Sequence, residues 1–331
     1  MFRIEFKRIF IHKKIWMKVL IALFFLLTVG IMSQTIGKPY IELYKTQYLK
    51  TLNEYQLEGP YTEEREKTLS ELEAHQKERE IARNKIIDDF EQGKMECEEY
   101  HDNMSEMNQV RDDSYLLRTI RDQMNDAKNN LQSEITYTNG WDNFFIQKQD
   151  IARMLLIVIF AYLLWKNEVK LSVKKVLLLS KNGGSKLYHV KLACMVLGVL
   201  ILWGMEQGSY LIYIILKYGT YGIGSSIQSL MMFADLSLEC KIYGFIWFYE
   251  SVKLLLCLLV GLMTGTCLIV LRDKRLGILL AIAVVLFGCG LGVSSINLIK
   301  RYEWNSIWIL LLLVGALYGI GRFAWIKKGK K

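Results

Sequence analysis

Two ionisable residues stand in the middle of apolar sequence. Arg153 precedes the run Met154 to Trp165, and Glu206 lies within the run 190 to 216. An ion in hydrocarbon is costly unless it is paired, so each side chain needs a partner of opposite sign. Arg153 is 13 residues from Lys166, and Glu206 is 15 residues from Lys191. At 1.5 Å per helical residue these offsets are ~20 and ~22 Å, which puts the two charges at similar depth. We therefore expect an Arg153–Glu206 pair, acting either as a clamp between two helices or as part of a substrate path. Glu250 and Lys253 flank the start of a later apolar run, where a water-exposed position is cheap, and receive no role.

Other chemistry is missing from the sequence. His12, His75, His101 and His189 are scattered, and there is neither a His-Glu-x-x-His pair for a metal nor a Gly-x-Ser-x-Gly nucleophile turn. Gly37-Lys38 is followed by Pro39 and Gly93-Lys94 by Met95, so no phosphate loop is formed. Four of the six cysteines (Cys194, Cys257, Cys267 and Cys289) lie in apolar runs, and Cys97 and Cys240 have no Cys-x-x-Cys spacing. They read as small hydrophobes rather than ligands. We expect no catalytic, cofactor or metal site in this chain.

A second informative stretch is Trp165 to Lys191, which carries seven lysines between 166 and 191. Val169, Val173, Val176, Leu177 and Ser180 recur on one helical face. A segment of this kind is too short to span a bilayer. It lies on anionic lipid or fits a groove on a soluble partner.

The elements that must position these residues follow from composition. The chain has 331 residues, 52% hydrophobic and 23% charged, with two prolines. Its apolar residues collect near 15–36, 150–165, 190–216, 251–271, 276–296 and 306–326, runs of about the length that crosses a bilayer. The expected fold is an all-α polytopic membrane protein with six transmembrane helices. Lys and Arg number 20 in one set of alternating loops and five in the two short loops of the other set. The positive-inside rule then places both termini in the cytoplasm of a plasma-membrane protein and residues 37–149 outside. Residues 1–14 carry Phe2, Phe6, Ile9 and Phe10 on one face among basic residues, as an interfacial helix would.

Charge is split the same way. Residues 37–149 hold 15 basic and 24 acidic residues, a net of −9, and the rest holds 27 basic and 9 acidic, a net of +18. Two environments are implied rather than one basic surface, so nucleic acid is not expected as a partner. In the 37–149 insertion, Gly93 lies midway. Glu63 to Gln92 is rich in helix formers, and apolar or aromatic residues recur at 100, 104, 107, 110, 117, 120, 124, 127, 131 and 135. A helical hairpin or shorter bundle is expected, interrupted at Gly59-Pro60. The outgoing seam Leu69, Leu72, Gln76, Arg79, Arg83, Ile86, Phe90 is too polar for a long two-stranded coiled coil.

Taken together, these features resemble the permease subunit of ATP-binding-cassette exporters, the type-2 permease family of Gram-positive bacteria. Glu168 soon after the second run, Gly184 with Lys186 in a small-residue turn, Lys191 at the start of the third run and Ile227-Gln228-Ser229 match that family's pattern. Ser180-Lys-Asn-Gly-Gly184-Ser lacks its Thr/Ser-Pro or Gly-Arg pair. The resemblance implies a dimer of permease copies, alike or different, and a separately encoded cytoplasmic ATPase that binds ATP and Mg. That ATPase would dock on Glu168, Val169, Val173, Val176, Leu177, Gly184 and Lys186. The expected function is export of an amphipathic peptide, lipid or drug-like molecule. The alternative is a membrane receptor or sensor with an outer helical domain. An ion-coupled transporter ranks last, because neither proline lies in a span and no repeat is evident.

Overall fold

A computed structural model describes residues 43–107, 110–130, 132–146, 150–165, 185–271, 274–290 and 295–329. The expected interfacial helix 1–14, the first apolar run 15–36 and the docking positions Glu168, Val169, Val173, Val176, Leu177 and Gly184 lie outside these residues. The chain is mostly helical and divides into two compact units, one holding Phe144–Leu216 and Ile246–Lys331, the other Thr35–Asn143 and Lys217–Phe245.

The second unit is built from two insertions that are distant in sequence. Its elements are α1 (Lys45–Glu54), β1 (Gly59–Pro60), α2 (Glu63–Glu91), α3 (Cys97–Met107), α4 (Val110–Asn129) and β2 (Glu134–Ile135). Thr62 caps α2 by accepting from the Arg65 N–H, and Glu63, Glu64 and Glu66 place negative charge on the first turn. At the other end Gly93 takes φ +69°, while Gly93 N–H donates to Phe90 O and Lys94 N–H to Asp89 O, both at 2.9 Å. This left-handed glycine closes the helix and reverses the chain. Gly59 and Pro60 do not kink a helix. They form a two-residue strand paired with Ile135 and Glu134.

The apolar stripe read from residue 100 to 135 is divided. Val110, Leu117, Ile120, Met124 and Ala127 face the core on α4, and Ile135 reaches it from β2. Tyr100, on α3, instead stacks on Phe90 with ring centroids 4.2 Å apart. Tyr48, Leu52, Leu57 and Leu69 complete the core, each buried aliphatic contributing ~1.5–3 kcal/mol. Polar seam positions on α2 find polar partners on α4. Gln76 is buried and donates to Val110 O and, at 2.9 Å, to Ser114 Oγ, while Arg79 pairs with Asp113 at 3.1 Å. A seam that looks defective as a coiled coil is thus satisfied by hydrogen bonds, which a buried polar group requires.

Nearby, Glu66 accepts from the Tyr61 hydroxyl and from Lys128 Nζ. The bond from Tyr61 and then that from Lys128 hold its carboxyl below the ordinary value, and the bond to Glu66 holds the Lys128 ammonium above its own. The Glu66 contribution is full above the unfolded-chain value of ~4.3 and is lost as pH falls through the depressed one. The Lys128 contribution is full below ~10.4 and is lost as pH rises through the raised one. Glu66→Gln should therefore flatten the acid-side fall of the thermal midpoint. Equal midpoint loss in wild type and variant on acidification would exclude this role.

The second insertion, 217–245, packs on the first. Ile227–Ser229 forms a 3-10 turn, and Gln228, 2% exposed, donates to Leu236 O at 2.9 Å and Leu238 O at 2.7 Å. Asn130 donates to Ala234 O, Gln132 to Glu239, and Glu134 N–H to Ser229 Oγ. Trp141 Nε1 donates to Tyr221 O at 2.7 Å.

The first unit contains α5 (Asn139–Phe145) in part, α6 (Asp150–Trp165), α7 (Ser185–Tyr218), α8 (Ile242–Val270), α9 (Lys274–Gly290), α10 (Ser295–Tyr302) and α11 (Asn305–Gly329). Among the described residues three helices are long and apolar enough to cross a membrane: Lys186–Tyr218, Ile242–Val270 and Asn305–Lys327. Ala152–Trp165 and Arg275–Leu286 are apolar but shorter. The α8 helix starts nine residues before the fourth apolar run, because Ile242 to Tyr249 is an uncharged, aromatic-rich stretch that continues the helix. Gly198 on α7 admits Phe160 of α6 so closely that an added Cβ would lie 2.1 Å from its Cζ. Leu156, Phe160, Met195, Leu202 and Leu262 fill the space around this contact.

Candidate functional site: a buried charge cluster

On α7, Trp203, Glu206, Gln207 and Tyr210 follow the spacing i, i+3, i+4, i+7 and share one face. Arg153, in the first turn of α6, meets that face. Its Nε donates to Glu206 Oε2 at 2.8 Å and its Nη2 to Glu206 Oε1 at 3.0 Å, a two-bond fork between side chains 4% and 2% exposed. This planar pairing is the strongest that a carboxylate makes with a side chain.

The cluster does not stop at that pair. Glu250 and Lys253, expected at a water-exposed helix start, are 7% and 1% exposed. Because α8 begins at Ile242, both lie two turns or more inside it. Lys253 Nζ donates to Glu250 Oε1 at 3.1 Å, and Trp203 Nε1 donates to Glu250 Oε2 at 3.1 Å. The Gln207 amide joins the two pairs. Oriented so that both its ends are satisfied, its oxygen accepts from Arg153 Nη2 at 2.6 Å and its nitrogen donates to Glu250 Oε1 at 3.2 Å. Aromatic rings wall the site. Tyr249 lies 4.2 Å and Phe144 5.7 Å from Lys253 Nζ, and Phe144 stacks on Tyr210 at 5.9 Å.

Among the described residues the cluster joins two cations and two carboxylates. Any one of them alone would carry a desolvation cost of several kcal/mol, and the mutual pairing offsets it. The arrangement binds three helices by electrostatics. It also gives them a contact that cannot slide by a fraction of a turn without leaving an ion unpaired. Sequence reasoning brought Arg153 and Glu206 to one level but missed Gln207, Trp203, Glu250 and Lys253. The signal available for the last two was the uncharged aromatic stretch that precedes them.

A second polar feature lies at the C-terminal end of α6. Lys191 is fully buried, donates to Leu164 O at 3.2 Å and lies 5.7 Å from the Trp165 ring centroid. Carbonyls in a helix's last turn lack intrahelical partners and favour a cation. Trp165 packs against Trp325 and Tyr188, each at 5.8 Å, so this aromatic group fixes the residue from which the 166–184 segment departs. Lys186, the one expected docking residue within the described positions, is exposed.

Among the described residues no three His, Cys, Asp or Glu side chains are grouped to hold a metal ion. Comparison with protein-family models, with curated proteins and with solved structures found no match.

Proposed function

We propose that the chain is the membrane-spanning permease subunit of an ATP-driven exporter. In this reading it works as a dimer with a separately encoded cytoplasmic ATPase and moves an amphipathic peptide, lipid or drug-like molecule across the plasma membrane. The observation that carries the reading is the charge cluster on α6, α7 and α8. Ionisable groups buried among apolar helices are expensive, and they mark substrate paths and moving contacts in membrane proteins. Six apolar runs, the lysine and arginine bias that would put both termini in the cytoplasm, the lysine-rich segment after α6 and the missing phosphate loop support the same reading. They leave the energy source to a partner. The residue 37–149 insertion then lies outside the cell, and Lys191 with Trp165 frames the segment on which the ATPase docks.

The test is gentle purification of the tagged chain from native membranes with mass spectrometry of what accompanies it. A stoichiometric ATPase carrying a phosphate loop is expected, and it should be lost when Val173→Asp and Leu177→Asp are combined. Repeated preparations that bring down a membrane kinase or a cell-wall protein, and no ATPase, would overturn the exporter.

A further inference from the structure

The second unit is packed unevenly along α2. Toward the start of that helix Leu69 lies in the core with Tyr48 of α1, and Gln76 is buried against α4. Beyond Gln76 no described residue is buried until Val110. The apolar seam nevertheless continues. Ile86 and Phe90 end it on α2, Met95 follows in the turn, and α3 answers with Tyr100, Met104 and Met107 on one face. Phe90 stacks on Tyr100, and Asn103 Nδ2 donates to Met95 Sδ at 3.8 Å. Each of these six apolar residues is half-buried and none fully. An apolar stripe shared by two helices needs a further element to close over it, and here the seam is left open. Its rim is acidic. Residues 86–107 carry eight acidic residues and one lysine, a net of −7 in a chain whose net charge is +9. The lysine, Lys94, pairs with Asp89 at 3.7 Å, while Glu91, Glu96, Glu98, Glu99 and Asp102 are exposed. Like charges at this density repel one another and favour a cationic partner.

We propose that this end of the α2–α3 hairpin is a docking surface for a cationic amphipathic peptide. The peptide lies along the open seam as a helix, its apolar face on Phe90, Tyr100 and the methionines and its lysines or arginines against the rim. Recognition of a helix in an apolar groove takes this form. Charge decides the occupant. A second copy of the chain would bring −7 against −7, and an anionic lipid surface would be repelled in the same way. The methionines set the breadth of the site. Unbranched and polarisable, they fit apolar side chains of different shapes, so the surface selects a class of peptide rather than one sequence.

The experiment uses the full-length chain in an uncharged maltoside detergent. The probes are an amphipathic Leu/Lys peptide of about 15 residues, long enough to hold a helix, the same peptide with Glu in place of Lys, and a Leu/Lys scramble without an apolar face. Cys97 supplies a readout at the site itself. It is exposed and lies on the seam face of α3, three residues before Tyr100 and seven before Met104. Its maleimide labelling, followed by mass spectrometry, is read as the ratio of rates without and with peptide in the same protein. The amphipathic Leu/Lys peptide should slow labelling at least tenfold, at a concentration where the Glu peptide and the scramble give no protection. Combining Glu96→Gln, Glu98→Gln, Glu99→Gln and Asp102→Asn, all at exposed positions, should abolish the protection. Micelles take up the peptide in both samples, so wild type against variant isolates the rim. Protection by the scramble equal to that by the amphipathic peptide overturns the proposal, and so does protection that persists in the variant. Cys97 protected by raising the protein concentration alone, and not by the peptide, makes the occupant a second copy and overturns it as well. No ATPase enters this readout, so the docking surface and the exporter stand or fall separately.

Discussion

Glu206→Arg alone and Arg153→Glu alone are each expected to remove most of the folded protein, and the two together to restore it. Either single change leaves two like charges facing each other where the side chains are 4% and 2% exposed. Breaking a buried pair by removing one partner costs ~3–5 kcal/mol, and repulsion adds to that. A domain's whole stability is ~5–15 kcal/mol. The double exchange rebuilds one carboxylate and one guanidinium at the same contact. The neutral pair Arg153→Met with Glu206→Met extends the logic, because a buried ion pair replaced by packed apolar groups is often neutral or stabilising. Size-exclusion profiles in mild detergent report the folded fraction. If the double exchange stays as depleted as the singles, direct pairing is not what the two residues contribute. The comparison also distinguishes pairing from function, since the neutral pair should fold and, on the exporter proposal with the fork as a moving contact, should fail to transport.

Gln228→Leu is expected to loosen the fold of the second insertion. The amide of Gln228 is buried and serves the carbonyls of Leu236 and Leu238, with Ser226 donating to its oxygen. Leucine fills the volume and leaves those carbonyls buried without their donor, at ~1–3 kcal/mol for each. Cys240 supplies the readout. It lies two residues beyond Leu238, its carbonyl accepts from Ile227 N–H at 3.0 Å, and burial pushes its thiol above the ordinary cysteine value. Thiolate is the reactive form, so maleimide labelling near neutral pH should be slow in the native fold. In a Cys97→Ser background, which removes the one exposed thiol among the described residues, Gln228→Leu should speed Cys240 labelling at least tenfold. An unchanged rate would show that Gln228 is not the pin.

Much of the architecture was legible along the chain. Apolar runs announced the long helices α7, α8 and α11, because the free energy of transferring a segment to hydrocarbon is a property of contiguous residues. Gly93 was legible as the point of reversal and Val110 to Ala127 as a buried face, because backbone conformation and helical periodicity are local too. Counting residues from Lys166 and Lys191 put Arg153 and Glu206 at one level, and their side chains meet. The return arm is not one helix. The apolar stripe spans α3, α4 and β2, and spacing alone does not reveal that a helix stops between two residues of the same stripe.

What tertiary structure decided were the partners. Glu250 and Lys253 looked like water-facing ends, and they are core, because α8 starts earlier than its aliphatic run and turns them toward Gln207 and Trp203 on α7. Gln76 and Arg79 looked like flaws in a seam until α4 brought Ser114 and Asp113 opposite them. Ile227-Gln228-Ser229 was a short motif in a loop until the chain, about a hundred residues after Asn130 and Glu134, returned to bond with them. The reason is the same in each case. A residue's cost of burial is set by its own chemistry and can be read from its type, whereas what offsets that cost is a group distant in sequence, and only the packed fold determines which group arrives.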